Sequence, residues 1–186
     1  MRESTYPILP LILSRHSPRA MSGEILGDEE LHSLFEAARW APSCFNAQPW
    51  RFMYAKKESS HWESFFACLG EWNQKWCANA SALIVAISRK NFDHNENPNL
   101  HHMFDTGAAW ENLALEASSR GLVAHAMAGF DKDKARADLN IPEGYEVICM
   151  IAIGKPGKVE ELPEDMQAGE SPNDRKPLAD IICEGP

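Results

Sequence analysis

No Cys-x-x-Cys pair occurs in the 186-residue chain, and its five cysteines, Cys44, Cys68, Cys77, Cys149 and Cys183, are odd in number. A zinc framework or a fully paired disulfide scaffold is therefore not expected; the pattern suits reduced thiols in a cytoplasm. Also missing are a G-x-G-x-x-G turn after a strand, a G-x-x-x-x-G-K-[ST] phosphate loop and a G-x-S-x-G elbow. Dinucleotide-domain, NTPase and hydrolase readings lose their best support with them. Basic residues are scarce: 18 Lys and Arg stand against 27 Asp and Glu, a formal net charge of −9. General nucleic-acid binding is excluded on that ground, because neutralising phosphates needs a basic surface. Long apolar runs are absent as well. The longest early one, YPILPLIL, is too short to cross a bilayer and carries Pro7 and Pro10, which break a helical core. It has no basic leader or small-residue cleavage site, so neither a secretory signal nor membrane association is expected.

What remains is a globular composition, 44% hydrophobic and 24% charged, enough for a core of ordinary size. No repeat or linker interrupts it, and one domain over residues 1–186 is expected. In GDEELHSLFEAARWAPS, Asp28 offers a helix cap while Leu31, Leu34, Phe35 and Ala38 recur at helical spacing, with Pro42 beyond the end. QPWRFMYAKK alternates, with Trp50, Phe52 and Tyr54 on one face and Arg51 and Met53 on the other, which predicts a strand. Residues 60–69 read as a helix, SALIVAIS as a buried strand and RKNFDHNENPN as a loop. MFDTGAAWENLALEASSRGL is the longest helical segment, stopped by Gly121. Its small Gly107, Ala108, Ala109, Ala114, Ala117 and Ser118 suit the middle of a core or a subunit interface. VAHAMAGFD predicts a strand turning at Gly129, DKDKARADLN a short helix and YEVICMIAIG a strong strand. Helices and strands mix without strict alternation, so the class is α+β with a central sheet. The tail from Lys155 is long for a chain of this size and is expected to pack on something, a second copy of the chain being one candidate.

Within this acidic chain, SRHSPRAMSG gathers Arg15, His16 and Arg19 around Ser17. Pro18 favours extended backbone before it, and a period of two then puts Arg15, Ser17 and Arg19 on one side, an arrangement that fits phosphate monoester oxygens. Two exposed arginines in a loop are the plainer alternative. APSCFNAQPW supplies two carboxamides, Asn46 and Gln48, which complement a ring edge carrying both N–H and carbonyl groups. A helix stop with turn residues accounts for the same letters, and Trp50 reads as a core anchor. Cys44 reads as a buried or turn residue, since nothing near it in sequence is placed as its base. Arg175 and Lys176 form a second basic spot, by itself a solvated face. His94, His101 and His102, with Asp93 and Asp105, match no metal-ligand spacing and read as a polar loop.

Taken in order, RHSPRAM, LFEAARWAPSCFNAQPWRF, DTGAAWENLALEASSRGL, AMAGFD and RKPLADII resemble the nitroreductase family of flavin mononucleotide (FMN) enzymes, over residues 14–182. The resemblance implies a central mixed or antiparallel sheet flanked by helices, in an intertwined homodimer with two active sites at the interface. It implies that Arg15, Ser17 and Arg19 hold the FMN phosphate, with His16 backing the ribityl region and Arg175 and Lys176 as a second grip. Asn73, in EWNQKW, resembles the asparagine that contacts the pyrimidine edge. Pro42, Ser43, Cys44 and Asn46 match the turn that reaches the flavin of the opposite subunit, and Ala128 and Gly129 match a segment whose backbone amide lies near flavin N5. The implied reaction is a ping-pong hydride transfer: NAD(P)H reduces the flavin and leaves, and a small planar acceptor such as a nitroaromatic or quinone takes its place. One pocket serves both partners, so no dinucleotide fingerprint is required. The flavin carries the chemistry, and no side chain is nominated as general acid or base. Pro7 and Pro10 stand where many relatives have a first amphipathic helix, and Ala128 where some carry a charge. The alternatives are a flavin-binding or sensing module without turnover, and a family dehydrogenase or dehalogenase with a dedicated substrate.

Overall fold

Strand β2 (Ala82–Arg89) is buried along nearly its whole length because both of its faces are covered. Leu83, Val85 and Ile87 enter one core while Ala82, Ile84 and Ala86 enter another, the period of two that a strand imposes. In this computed structural model, which describes residues 2–185 and leaves Met1 and Pro186 of the expected domain outside the described residues, β2 is the centre of the sheet. It pairs with β1 (Trp50–Lys56) and β4 (Tyr145–Gly154), and β3 (Val123–Met127) lies beyond β4, in the order β1-β2-β4-β3. Every pairing is antiparallel. The α+β expectation holds, and of the two sheet types implied the antiparallel one is present. Between Ala86 and Ile87 the register with β4 slips by one, so Ile148 and Cys149 both pack against the second core.

Helices α2 (Asp28–Arg39) and α5 (His102–Ser119) cover one face. Leu31, Leu34 and Ala38 meet Ala109, Leu113 and Ala117 against Trp50, Ile84, Ile151 and Ile153; burying each leucine contributes about 2 kcal/mol. Asp28 does not cap α2. Gly27 holds that position and donates its N–H to Glu30 Oε2 at 3.0 Å, while Asp28 sits in the first turn and pairs with Lys56. A glutamate reaching back from the third helical residue satisfies the free N–H, which leaves Asp28 to complement the positive helix end.

The opposite face is covered by α3 (Trp62–Phe66), α4 (Glu71–Cys77), α6 (Lys132–Asp138) and α7 (Glu164–Gln167). Trp62, Phe65, Trp76, Ala135 and Met166 pack there with Leu83, Val85, Met127 and Met150. The helix expected over residues 60–69 is shorter, and α4 begins after Gly70 where none was expected. Pro10 starts a helix, α1 (Pro10–Ser14), because at the first helical position its missing N–H is no loss. The tail packs on this chain in its first half, where Leu162, Met166 and Glu170 are buried, whereas from residue 171 onward every described residue is exposed. Beside the start of α5, Leu100 and Phe104 are 87% and 79% exposed, and a Cβ added to Gly107 meets nothing within 4 Å. Among the described residues no helix is long and apolar enough to cross a membrane.

Candidate functional site

Beyond α1 the backbone turns extended at Arg15 (φ −57°, ψ 126°). The arm that follows forms one wall of a cleft of about 420 Å³; the tail, through Gly169, Glu170 and Arg175, forms the other. Arg15, His16, Ser17, Arg19 and Arg175 all border this cleft. Arg15 Nη1 donates to Ser17 Oγ at 3.2 Å, and its Nε lies 3.5 Å from Glu111 Oε1 on α5. Arg2 also borders the cleft, although no signal in the sequence singles it out. Its guanidinium donates to the carbonyls of Arg15 and Asn173, each at 2.7 Å, and to Asn173 Oδ1 at 3.2 Å, which ties the arm to the tail. Burial, then the neighbouring guanidiniums of Arg175 and Arg15, lower the Arg2 pKa. Cations gathered in this way favour an anion between them. Lys176 does not border the cleft; it borders an adjacent groove with Tyr6, Ile8, Leu178 and Ile181.

Arg19 borders a second recess too, of about 480 Å³, formed by residues 70–73 at the start of α4 and residues 125–129 at the end of β3. Arg19 is therefore common to the linings of both recesses. Asn73 Nδ2 donates to the Gly129 carbonyl at 2.8 Å, and its Oδ1 accepts from Trp76 Nε1 at 3.2 Å. An indole only donates and a carbonyl only accepts, so the amide orientation is fixed, with one N–H and one lone pair left over. A Cβ at position 129 would lie 2.7 Å from Asn73 Nδ2, so a side chain there displaces the Asn73 amide from its present position. The Gly129 carbonyl also accepts from Gly70 N at 3.0 Å, which locks α4 to the end of β3.

Two further residues escaped the sequence reading. His125 Nδ1 donates to the Pro18 carbonyl at 3.0 Å and its ring centroid lies 4.8 Å from that of Trp76. Burial lowers its pKa, the Pro18 bond opposing. The signal was a histidine at strand spacing between the buried Val123 and Met127. Glu170 is 8% exposed. Its Oε2 accepts from the backbone N–H groups of Arg19 and Ala20 at 2.7 and 3.0 Å, and its Oε1 lies 3.3 Å from Arg19 Nη1.

Pro42, Ser43, Cys44 and Asn46 border neither recess of their own chain. Their turn is anchored to α5 by Cys44 N, which donates to Asp105 Oδ2 at 3.1 Å, and closed by Gln48 N, which donates to Ser43 Oγ at 3.0 Å. Phe45, Asn46 and Gln48 adopt φ of 51°, 53° and 46°. Asn tolerates this left-handed region, but for Phe45 it costs on the order of 1–2 kcal/mol, and the ring is 87% exposed. His102, expected in a polar loop, belongs to α5 and shares a 2.6 Å hydrogen bond with Ser88 Oγ.

A cationic cleft and a recess edged by a fixed amide, both bordered by Arg19, offer groups whose chemistry suits a phosphorylated ring cofactor. A family model described as "Nitroreductase family" matches residues 12–155, and the chain belongs to that family. A solved structure described as an oxidoreductase containing FMN is 45% identical, with a TM-score of 0.95 over 100% of this chain and 95% of that one. A protein of Archaeoglobus fulgidus named as a candidate NADH dehydrogenase/NAD(P)H nitroreductase is 29% identical over 157 residues, 80% of this chain and 84% of the relative. The fold alone is shared with a candidate nitroreductase of Desulfovibrio desulfuricans solved in complex with FMN, at 24% identity, a TM-score of 0.76 and coverage of 98% and 99%.

Proposed function

We propose that this protein is an FMN-dependent oxidoreductase that takes electrons from NAD(P)H and passes them to a small planar acceptor such as a nitroaromatic or quinone, working as a homodimer. The observation that carries this reading is that Arg19 borders both recesses, the cationic one and the one edged by Asn73 and Gly129. The residues fit the cofactor. One end offers guanidiniums and a hydroxyl suited to a phosphate, and the other offers an amide and a glycine against which a flat ring can lie. When bound, FMN supplies the redox chemistry, accepting hydride from the nicotinamide and giving electrons to the acceptor.

Arg15, Ser17 and Arg175 hold the phosphate, and His16 backs the chain between phosphate and ring. Each charge-assisted hydrogen bond contributes about 1.5–3 kcal/mol. Asn73 uses its remaining N–H and lone pair to orient the pyrimidine edge, pinned from behind by Gly129 and Trp76. Ala128 and Gly129 present backbone to the reacting face, and Arg19 places positive charge where negative charge develops on reduction. The turn over Pro42, Ser43, Cys44 and Asn46 reaches across to the partner's recess and excludes water there. Its separation from its own recesses, the exposed Phe45 and the open flank at Leu100, Phe104 and Gly107 support that arrangement. Donor and acceptor occupy the same recess in turn, and no side chain serves as general acid or base.

The test is optical. The purified protein, or the protein reconstituted with FMN, is yellow, bleaches anaerobically with NADH or NADPH and recovers its colour on addition of a quinone or nitroaromatic. Failure to take up FMN contradicts the proposal; uptake without bleaching by either nicotinamide replaces it with a flavin-binding module.

A further inference from the structure

Glu170 is a buried carboxylate to which the proposed reaction gives no part, yet it borders the cationic cleft and holds Arg19, the residue common to both recesses. Its side chain is only 5% exposed and makes three contacts with the arm, two with Arg19, through its backbone N–H and its Nη1, and one with the backbone N–H of Ala20. Such a charge is retained in an interior only when paired. Two successive backbone N–H groups beside an arginine form the kind of nest that binds an anion. Here the tail's own carboxylate fills that nest, so a phosphate in the cleft is left to the side chains of Arg15, Ser17 and Arg175. The turn carrying Glu170 is shaped for the contact: a Cβ added to the adjacent Gly169 would lie 3.2 Å from Arg19 Nη1. Arg19 is thus clamped by the tail at the mouth of the ring recess, its positive charge opposed by one carboxylate.

We infer that Glu170 is a positioning residue that fixes Arg19, which borders both recesses, and, by opposing its charge, sets how strongly the site favours reduced, anionic flavin over the neutral oxidised form. The inference rests on the FMN reading above. With the carboxylate present, Arg19 contributes direction but only part of its charge to the ring recess. Without it, the full cation faces the ring and the reduced state gains.

The experiment measures the midpoint potential of FMN bound to the wild type and to Glu170→Gln, with Glu170→Asp as the conservative variant. Glu170→Gln shifts the potential positive by about 30 mV, the equivalent of a tenfold gain in affinity for reduced over oxidised flavin for a two-electron couple. Glu170→Asp keeps the charge and stays near the wild type. Should Glu170→Gln fold poorly, Arg19→Gln supplies the opposite arm and shifts the potential negative. Hydrogen exchange on the flavin-free protein reads the clamp separately: the amides of Arg19 and Ala20 lose protection in Glu170→Ala. A wild type that takes up no FMN overturns the functional reading. A wild type that binds FMN, with Glu170→Gln or Arg19→Gln leaving the potential unmoved, overturns the inference.

Discussion

Replacing Arg15 by alanine removes a guanidinium whose side chain is 15% exposed and whose Nη1 is held by Ser17 Oγ at 3.2 Å, at the centre of the cationic cleft. Its partner Glu111 is 48% exposed at 3.5 Å, so the lost ion pair costs the fold little, at most about 1 kcal/mol. Binding is where the change is felt. One charge-assisted bond to a phosphate, about 1.5–3 kcal/mol, corresponds to a rise in the FMN Kd of roughly tenfold to a hundredfold. The assay is flavin fluorescence quenching on titration into the flavin-free protein, run in parallel with riboflavin, which lacks the phosphate. Arg89→Ala is the control, because Arg89 pairs with Asp93 and Glu96 in a loop away from both recesses. Arg15→Ala weakens FMN and leaves riboflavin unchanged. Equal losses for Arg15→Ala and Arg89→Ala, or equal losses for the two flavins, would refute the phosphate assignment.

Arg175→Ala weakens FMN binding in the same titration, whereas Lys176→Ala, which borders only the adjacent groove, changes it less than threefold by the small weight of exposed charges. Gly129→Ala drives a methyl to 2.7 Å from Asn73 Nδ2; it breaks the Asn73–Gly129 bond and weakens FMN and riboflavin alike, a pattern opposite to that of Arg15→Ala. Burial lowers the pKa of His125 below its ordinary 6.5. Its neutral form therefore adds stability that is complete above pH 6.5 and is lost as pH falls through the depressed value. His125→Asn, which keeps a donor for the Pro18 carbonyl, reduces the slope of a urea-midpoint profile as pH falls below 6.5; His102, also depressed by burial, retains its share there, and the carboxylates of Asp28 and Glu36, lowered in pKa, add slope only at more acid pH.

The long elements were legible because their period was unambiguous. β4 covers Tyr145–Gly154 as the apolar run foretold, and α5 stops before Gly121, whose φ of 70° only glycine adopts readily. Helix α4 was not, since EWNQKWC is seven residues long and interleaves tryptophans with polar groups, too short for a period to emerge. Arg15, Ser17 and Arg19 were found as a local cluster of charge in an acidic chain. Arg2 and Glu170 were not, because each owes its place to a partner about 150 or more residues away, Asn173 for one and Arg19 for the other. Arg175 and Lys176 look equivalent as letters, and only the path of the tail separates them. Residue type alone makes Asp28 a cap candidate, while the reach of Glu30 back to Gly27 N decides the matter.

A crystal structure of the FMN complex is the decisive measurement. It is expected to show one phosphate in contact with Arg15, Ser17 and Arg175, the ring edge on Asn73 beside Gly129, and residues 42–46 of a second copy over the ring. A phosphate bound elsewhere, or a ring outside the recess at residues 70–73, would contradict this placement.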